Sequence, residues 1–155
     1  MIDRVLRERG ERLRAYVDAV KGKPMTWGVD DCSLWPAQWF ANETGREFDW
    51  PLYSSEAEAH RIIDAEGGLV SVWNRIARQA GVMPRYGEMP VVGDVGIIET
   101  TRGRVGGIFT FGGGMCVRTL DGAAAIGVVG RAFPVRNADG TWERRPVVVK
   151  VWALG

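Results

Sequence analysis

Cys32 is the side chain in this sequence best placed to do chemistry. It lies in residues 27–40, WGVDDCSLWPAQWF, just ahead of a run with helical spacing (Leu34, Ala37, Gln38, Ala41). Pro36 sets its position. Proline has no backbone N–H, and its ring collides with the carbonyl four residues earlier, here that of Cys32. Cys32 is therefore predicted at or just before the first helical turn, with Asp31 or Ser33 as the N-cap. A helix start offers unpaired amides and the positive end of the dipole, and both favour an anion such as a thiolate. A reactive thiol is one reading. The other is a small buried side chain among Trp27, Trp35 and Trp39, kept protonated by apolar surroundings. The residues alone favour the second.

A working thiol needs a base. His60 is the sole histidine of the chain and lies in SEAEAHRII, inside a predicted helix. Ile62 and Ile63 take the core side of that helix, so His60 is placed on its flank or outside. It is a candidate base for Cys32, although a surface histidine is the plainer reading. Asp30, Asp31, Asp94 and Glu99 are the carboxylates to weigh. A carboxylate titrating near 4 matches a thiol near 8.5 poorly. Asp31 reads more simply as a helix cap, and Asp94 as a turn residue.

Cofactor and metal chemistry find no support. Two cysteines and one histidine, far apart, lack zinc-ligand spacing. Gly112–Gly114 lies between two predicted strands and precedes no lysine–serine pair, so it reads as a hairpin and not a phosphate cradle. Asp139 and Gly140 do not fit a calcium loop. No cofactor and no metal are expected. Arg102, Arg104 and Arg118 read as a solvated sheet edge.

The elements that must hold Cys32 follow from periodicity and punctuation. Helices are predicted over 3–20, from about 33 toward Gly45, from Ser55 to Gly67, and over 69–80. Ser55 and Glu58 have capping-box spacing. The first helix carries a stripe of Leu13, Tyr16, Val17 and Val20. Strands are predicted near 95–99, 107–111, 115–120, 125–129 and 147–152, with a turn at Asn137–Asp139–Gly140. Eleven of the 21 glycines fall between Gly93 and Gly130, which marks this half as strands and turns. The expectation is an α+β fold, N-terminal helices packed on a C-terminal antiparallel sheet. One domain would span 1–155, with a helical half at 1–81 and a sheet half at 91–154. The stretch 82–90 reads as a connection inside it. Trp27, Trp50 and Trp142 lie in loop-like segments, as caps over the core or interface anchors. The terminal VVVKVWAL reads as a central strand or one donated to a neighbour.

Composition narrows the partners. The 155 residues are 46% apolar and 25% charged, with net charge +1. That disfavours disorder, nucleic acid and anionic membranes as partners. No stretch of about eighteen apolar residues spans a bilayer, and no secretory signal is expected at MIDRVLRERG. Cys32 and Cys116 are too few for a disulfide scaffold, although they leave one bond open.

Asp31–Cys32–Ser33 opening a helix, and Gly93–Asp94 opening a strand, resemble the nucleophile region and following strand of NlpC-type peptidases. These are papain-like cysteine enzymes that cut bacterial cell-wall peptides. The resemblance is closer to a variant in the tail tips of phages and prophages, carried here by Trp27, Gly28, Asp31, Cys32 and a late Trp152. It implies a papain-like α+β fold and Cys32 as nucleophile. It also implies a histidine base opening the strand after Gly93–Asp94 and a polar third residue. Alignment lays Val105 on the first of these positions and Val117 near the second, and neither valine accepts a proton. The resulting expectation is a catalytically degenerate structural component of a tail tip or hub. It would be made in the bacterial cytoplasm, reside in the virion tail and contact other tail proteins. The alternative is an active peptidase or amidase on cell-wall peptides, with Cys32 as nucleophile and His60 or an unrecognised group as base.

Overall fold

Asp3 begins the first helix: its carboxylate accepts the Leu6 amide at 2.9 Å, the N-cap arrangement. The structure, a computed structural model, describes residues 3–86 and 89–155; residues 87 and 88 of the connection 82–90 lie outside the described residues. Helix α1 (Arg4–Asp18) sets Leu13 in the core and Tyr16 beside it. Tyr16 stacks on Trp35 and donates its hydroxyl to the Trp35 carbonyl at 2.6 Å. Helix α2 (Leu34–Thr44) buries Trp35, Pro36, Ala37, Trp39 and Phe40, and ends at Gly45 in the left-handed conformation.

Helix α3 (Glu56–Ala65) is capped by Ser55, whose hydroxyl accepts the Glu58 amide at 3.1 Å. The return half of the predicted box is displaced by one residue: the Glu58 carboxylate accepts the Ser54 amide at 3.0 Å. Helix α4 (Leu69–Gln79) turns Leu69, Val72, Trp73, Ile76 and Ala77 inward as one stripe.

The second half supplies β1 (Val95–Thr100), β2 (Gly103–Phe109), β3 (Gly114–Thr119), β4 (Gly122–Gly127), β5 (Ala132–Arg136), β6 (Trp142–Pro146) and β7 (Val148–Trp152). Five of them form an antiparallel sheet in the order β4-β3-β2-β1-β7, and β5 and β6 form a separate hairpin. The molecule is thus α+β, as expected. Three strand expectations are corrected. β2 runs from Gly103 to Phe109, so it starts four residues before the expected Gly107 and ends two before the expected Phe111. β4 lies earlier than expected because its alanines carry little β preference. The terminal run is an edge strand, paired only with β1 within the sheet. Its outer side is covered by residues 83–85: Arg85 N–H donates to the Val151 carbonyl (2.9 Å) and Ala153 N–H to that of Met83 (3.1 Å).

Successive residues of a strand point to opposite faces, and the two faces of this sheet pack differently. Val95, Ile97, Ile108, Cys116 and Trp152 meet Trp35, Trp39, Phe40 and Trp73 on the helix side. Ile98, Phe109, Met115 and Val151 lie on the other side, with Val105, Val117, Val128 and Val148.

Candidate functional site

The approach to Cys32 is a tight turn. The amides of Val29 and Asp30 donate to the Thr26 carbonyl, and Gly28 has φ +80°. A Cβ on Gly28 would fall 1.9 Å from the Tyr53 carbonyl oxygen, so only glycine fits. Asp31 follows, 1% exposed. Its Oδ1 accepts the amides of Ser33 (3.0 Å) and Leu34 (3.1 Å), and its Oδ2 accepts the Gly28 amide (2.9 Å) and the Tyr53 hydroxyl (2.6 Å). With four donors on one carboxylate, Asp31 is the cap of α2 and has no lone pair directed at Cys32. It also takes up the helix-start amides that would otherwise favour a thiolate.

The Cys32 thiol is pushed up to about 11 from 9.0, first by burial and next by the negative charge of Asp31. The amides of Gly106 and of Cys32 itself pull the other way, and Glu56 adds a little to the rise. At neutral pH the sulfur therefore keeps its proton.

Pro36 leaves the Cys32 carbonyl without a helical donor, and that carbonyl packs on Gly106 of β2. A Cβ on Gly106 would stand 2.8 Å from the Cys32 oxygen and 2.4 Å from the Trp73 ring. The β2 residue that faces Cys32 is thus one with no room for a side chain. Val105, the position aligned with the expected base, lies one residue away, on the other face of the sheet with Ile98. Val117 shares that far face.

His60 is exposed. Its Nε2 lies 3.9 Å from Glu56 Oε1, one helical turn back, and its ring meets Trp27 edge-on at 6.4 Å. It makes no hydrogen bond to Cys32.

The other carboxylates are engaged. Asp30 pairs with Arg118 at 2.8 Å and accepts the Thr26 amide at 2.8 Å. Glu99 pairs with Arg104 at 2.9 Å. Asp94, 0% exposed, is more than the turn residue expected: it accepts Arg85 Nε (2.9 Å) and the amides of Val91 (2.8 Å) and Leu154 (3.1 Å). It ties the connection and the C-terminus to the start of β1. Gly93 before it adopts φ +92° and offers its carbonyl to Trp39 Nε1 at 2.8 Å.

Arg118 corrects the sheet-edge reading. Its side chain is fully buried, bonded to Asp30 and to the carbonyls of Lys23, Gly122, Thr119 and Pro24. Burial pushes the Asp30 carboxyl up, but the Thr26 amide and the Arg118 guanidinium outweigh it and hold the pKa low. Cys116 is buried on the helix side, and both cysteines are free thiols. The cavity beside Ser33, Trp50 and Tyr53 measures about 20 Å³, room for at most one water. Among the described residues no cluster of histidine, cysteine and carboxylates is arranged to hold a metal.

Sequence reasoning missed Tyr53, Gly106 and Arg118. Paired glycines inside a strand are a signal of close backbone approach, so Gly106 was readable. Tyr53 and Arg118 carried no such mark.

The fold and site define an α+β domain with a protonated thiol at a capped helix entrance. The chain belongs to the family described as "Domain of unknown function (DUF6950)", matched over residues 5–138, from α1 to the β5–β6 turn. No curated protein and no solved structure matches it.

Proposed function

We propose that this domain is a non-catalytic interaction module, a degenerate relative of the NlpC-type papain-like peptidases. In this reading it serves as a structural component of a phage or prophage tail tip or hub. The observation that carries the loss of catalysis is the contact of Gly106 with the Cys32 carbonyl: the β2 residue packed on the cysteine has no side chain and no space for one. The occupied Asp31 carboxylate and the raised thiol pKa support the same reading. The resemblance around Trp27–Gly28 and Asp31–Cys32 supports the tail assignment and the papain-like frame. In this reading the protein is made in the bacterial cytoplasm and resides in the virion tail, bound to other tail proteins. No helix among the described residues is long and apolar enough to cross a membrane.

Two experiments test the parts separately. Purified full-length protein is incubated with cell-wall sacculi and stem peptides, with Cys32→Ala in parallel. Neither is expected to release products, and cysteine-dependent cleavage overturns the reading in favour of the peptidase. Antibody against the chain is expected to label one end of tails in particles from a producing strain. Particles with unlabelled tails contradict the structural role.

A further inference from the structure

The β5–β6 hairpin roots at the side of the sheet facing away from the helices, where Val147 N–H donates to the Arg131 carbonyl and Glu99 N–H to that of Val147. Beyond its root most of it is exposed. A two-stranded hairpin alone is marginally stable in water, so a surface on it that recruits a partner is also a means of stabilising it.

Its two faces differ in charge. The register pairs Ala132 with Pro146, Pro134 with Arg144 and Arg136 with Trp142, which share one face; Phe133 with Arg145 and Val135 with Glu143 share the other. On the second face Arg145 is neutralised by Glu143 at 2.7 Å. The first face has no acid. Arg136 lies over the Trp142 ring at 5.6 Å, and Trp142 is 63% exposed. Arg144 reaches only the Ala132 carbonyl, at 3.4 Å. Among the described residues Arg131, Arg136 and Arg144 pair with no carboxylate.

This acid-free face runs into a groove of about 410 Å³ floored by Met89, Val128, Val148 and Val151, with Arg131 and Arg144 at its edge. Guanidiniums seek carboxylates in bidentate geometry, and the valine floor suits an aliphatic side chain. Arginine and tryptophan are the residues that most often dominate protein–protein binding energy. We infer that the groove and the adjoining hairpin face form a docking site for an acidic, aliphatic segment of a partner protein. Carboxylates of that segment would bind Arg131, Arg144 and Arg136, and one of its aliphatic side chains would enter the groove. An overall charge of +1 and the apolar floor favour a polypeptide over nucleic acid. The site lies across the sheet from Cys32, so it stands or falls independently of whether the thiol is active.

The test uses ¹⁵N-labelled full-length protein and a short acetylated peptide of alternating glutamate and leucine. Saturable shifts are expected at the Trp142 indole and at the amides of Arg131, Arg144 and Val148. The lysine–leucine and glutamate–serine peptides should bind far more weakly. The double substitution Arg131→Ser/Arg144→Ser, on exposed positions, should weaken the glutamate–leucine peptide by at least about tenfold, as the loss of two charge-assisted contacts implies. Trp142→Ala reads the hairpin separately and should weaken binding while leaving the rest of the spectrum in place. Equal binding of the lysine peptide, tighter binding of oligothymidylate, self-association through this face, or no shifts with any probe each overturns the inference.

Discussion

Gly106, in the middle of β2, is pressed against the carbonyl of Cys32, and the Trp73 ring closes the same space from above: a Cβ added there would sit 2.8 Å from one and 2.4 Å from the other. Helix start and sheet meet here backbone to backbone. The closeness arises because Pro36 frees the Cys32 carbonyl from the helix and glycine lets the strand approach it. It also leaves position 106, the β2 residue against Cys32, no room to carry a base.

A side chain at that contact must push the helix entrance away. Gly106→Ala is expected to destabilise the fold by about 1–3 kcal/mol, the range for overpacking a tight core. Gly106→His should cost more and create no hydrolase. Urea unfolding midpoints measure the first, and sacculus digestion the second. A stable, active histidine variant would contradict the geometry.

Asp31 holds four donors, so its loss orphans the start of α2 and the Tyr53 hydroxyl together. Asp31→Ala is expected to lose about 2–4 kcal/mol, a cap plus buried groups left unpaired. Tyr53→Phe removes one of the four and should lose about 1 kcal/mol. Because the two share a hydrogen bond, the double variant should lose less than the sum, read by denaturant titration of all four proteins.

The Asp30–Arg118 pair ties the turn before Cys32 to β3. Arg118→Met leaves Asp30 with the Thr26 amide alone and orphans the carbonyls of Lys23 and Gly122, and is expected to cost about 1–3 kcal/mol. The pair also sets an acid dependence. The Asp30 pKa in the folded chain lies below its ordinary 3.8, so between those values the unfolded chain binds more protons. The stabilisation is whole near neutrality and is lost as pH falls below 3.8 through the folded value. Asp30→Asn should be less stable near neutrality and should lose less on acidification, measured as the change in unfolding midpoint.

At the alkaline end the sign reverses. Cys32 keeps its proton in the fold to about 11 but releases it near 9.0 when unfolded, so stability falls with rising pH across that interval. Cys116, Tyr16 and Tyr53 are raised by burial in the same direction. Thermal melts of the natural chain and Cys32→Ala should converge in stability as the pH climbs from 9 to 11. A constant gap would show that the thiol titrates normally.

The helices were legible because their signals are local. Asp3, Ser55 and Gly45 mark ends, and the stripe from Leu69 to Ile76 marks a buried face. The position of Cys32 followed from Pro36 alone. What failed depended on contacts between distant residues. Asp30 and Arg118 are separated by 88 positions, so no window of sequence joins an exposed-looking arginine to its acid. β4 is built largely of alanine and glycine, and only its neighbour β3 makes it a strand. The terminal valines read as a central strand or a donated one because an apolar run looks the same whether a second strand or the segment 83–85 covers the outer edge. For the site, the family resemblance lays Val105 where a base is expected, yet strand alternation sets Gly106, not Val105, against Cys32. Sequence spacing alone does not say which face a strand turns to a helix.

The central claim is that the Cys32 sulfur is protonated and unassisted at physiological pH. The most direct measurement is the rate of iodoacetamide alkylation of Cys32 against pH, followed in the intact full-length chain by mass spectrometry of the Cys32 peptide. The account predicts slow labelling at neutrality, slower than free cysteine, rising toward an inflection near about 11. Rapid labelling with an inflection below about 7.5, the range of primed thiolates, would contradict it.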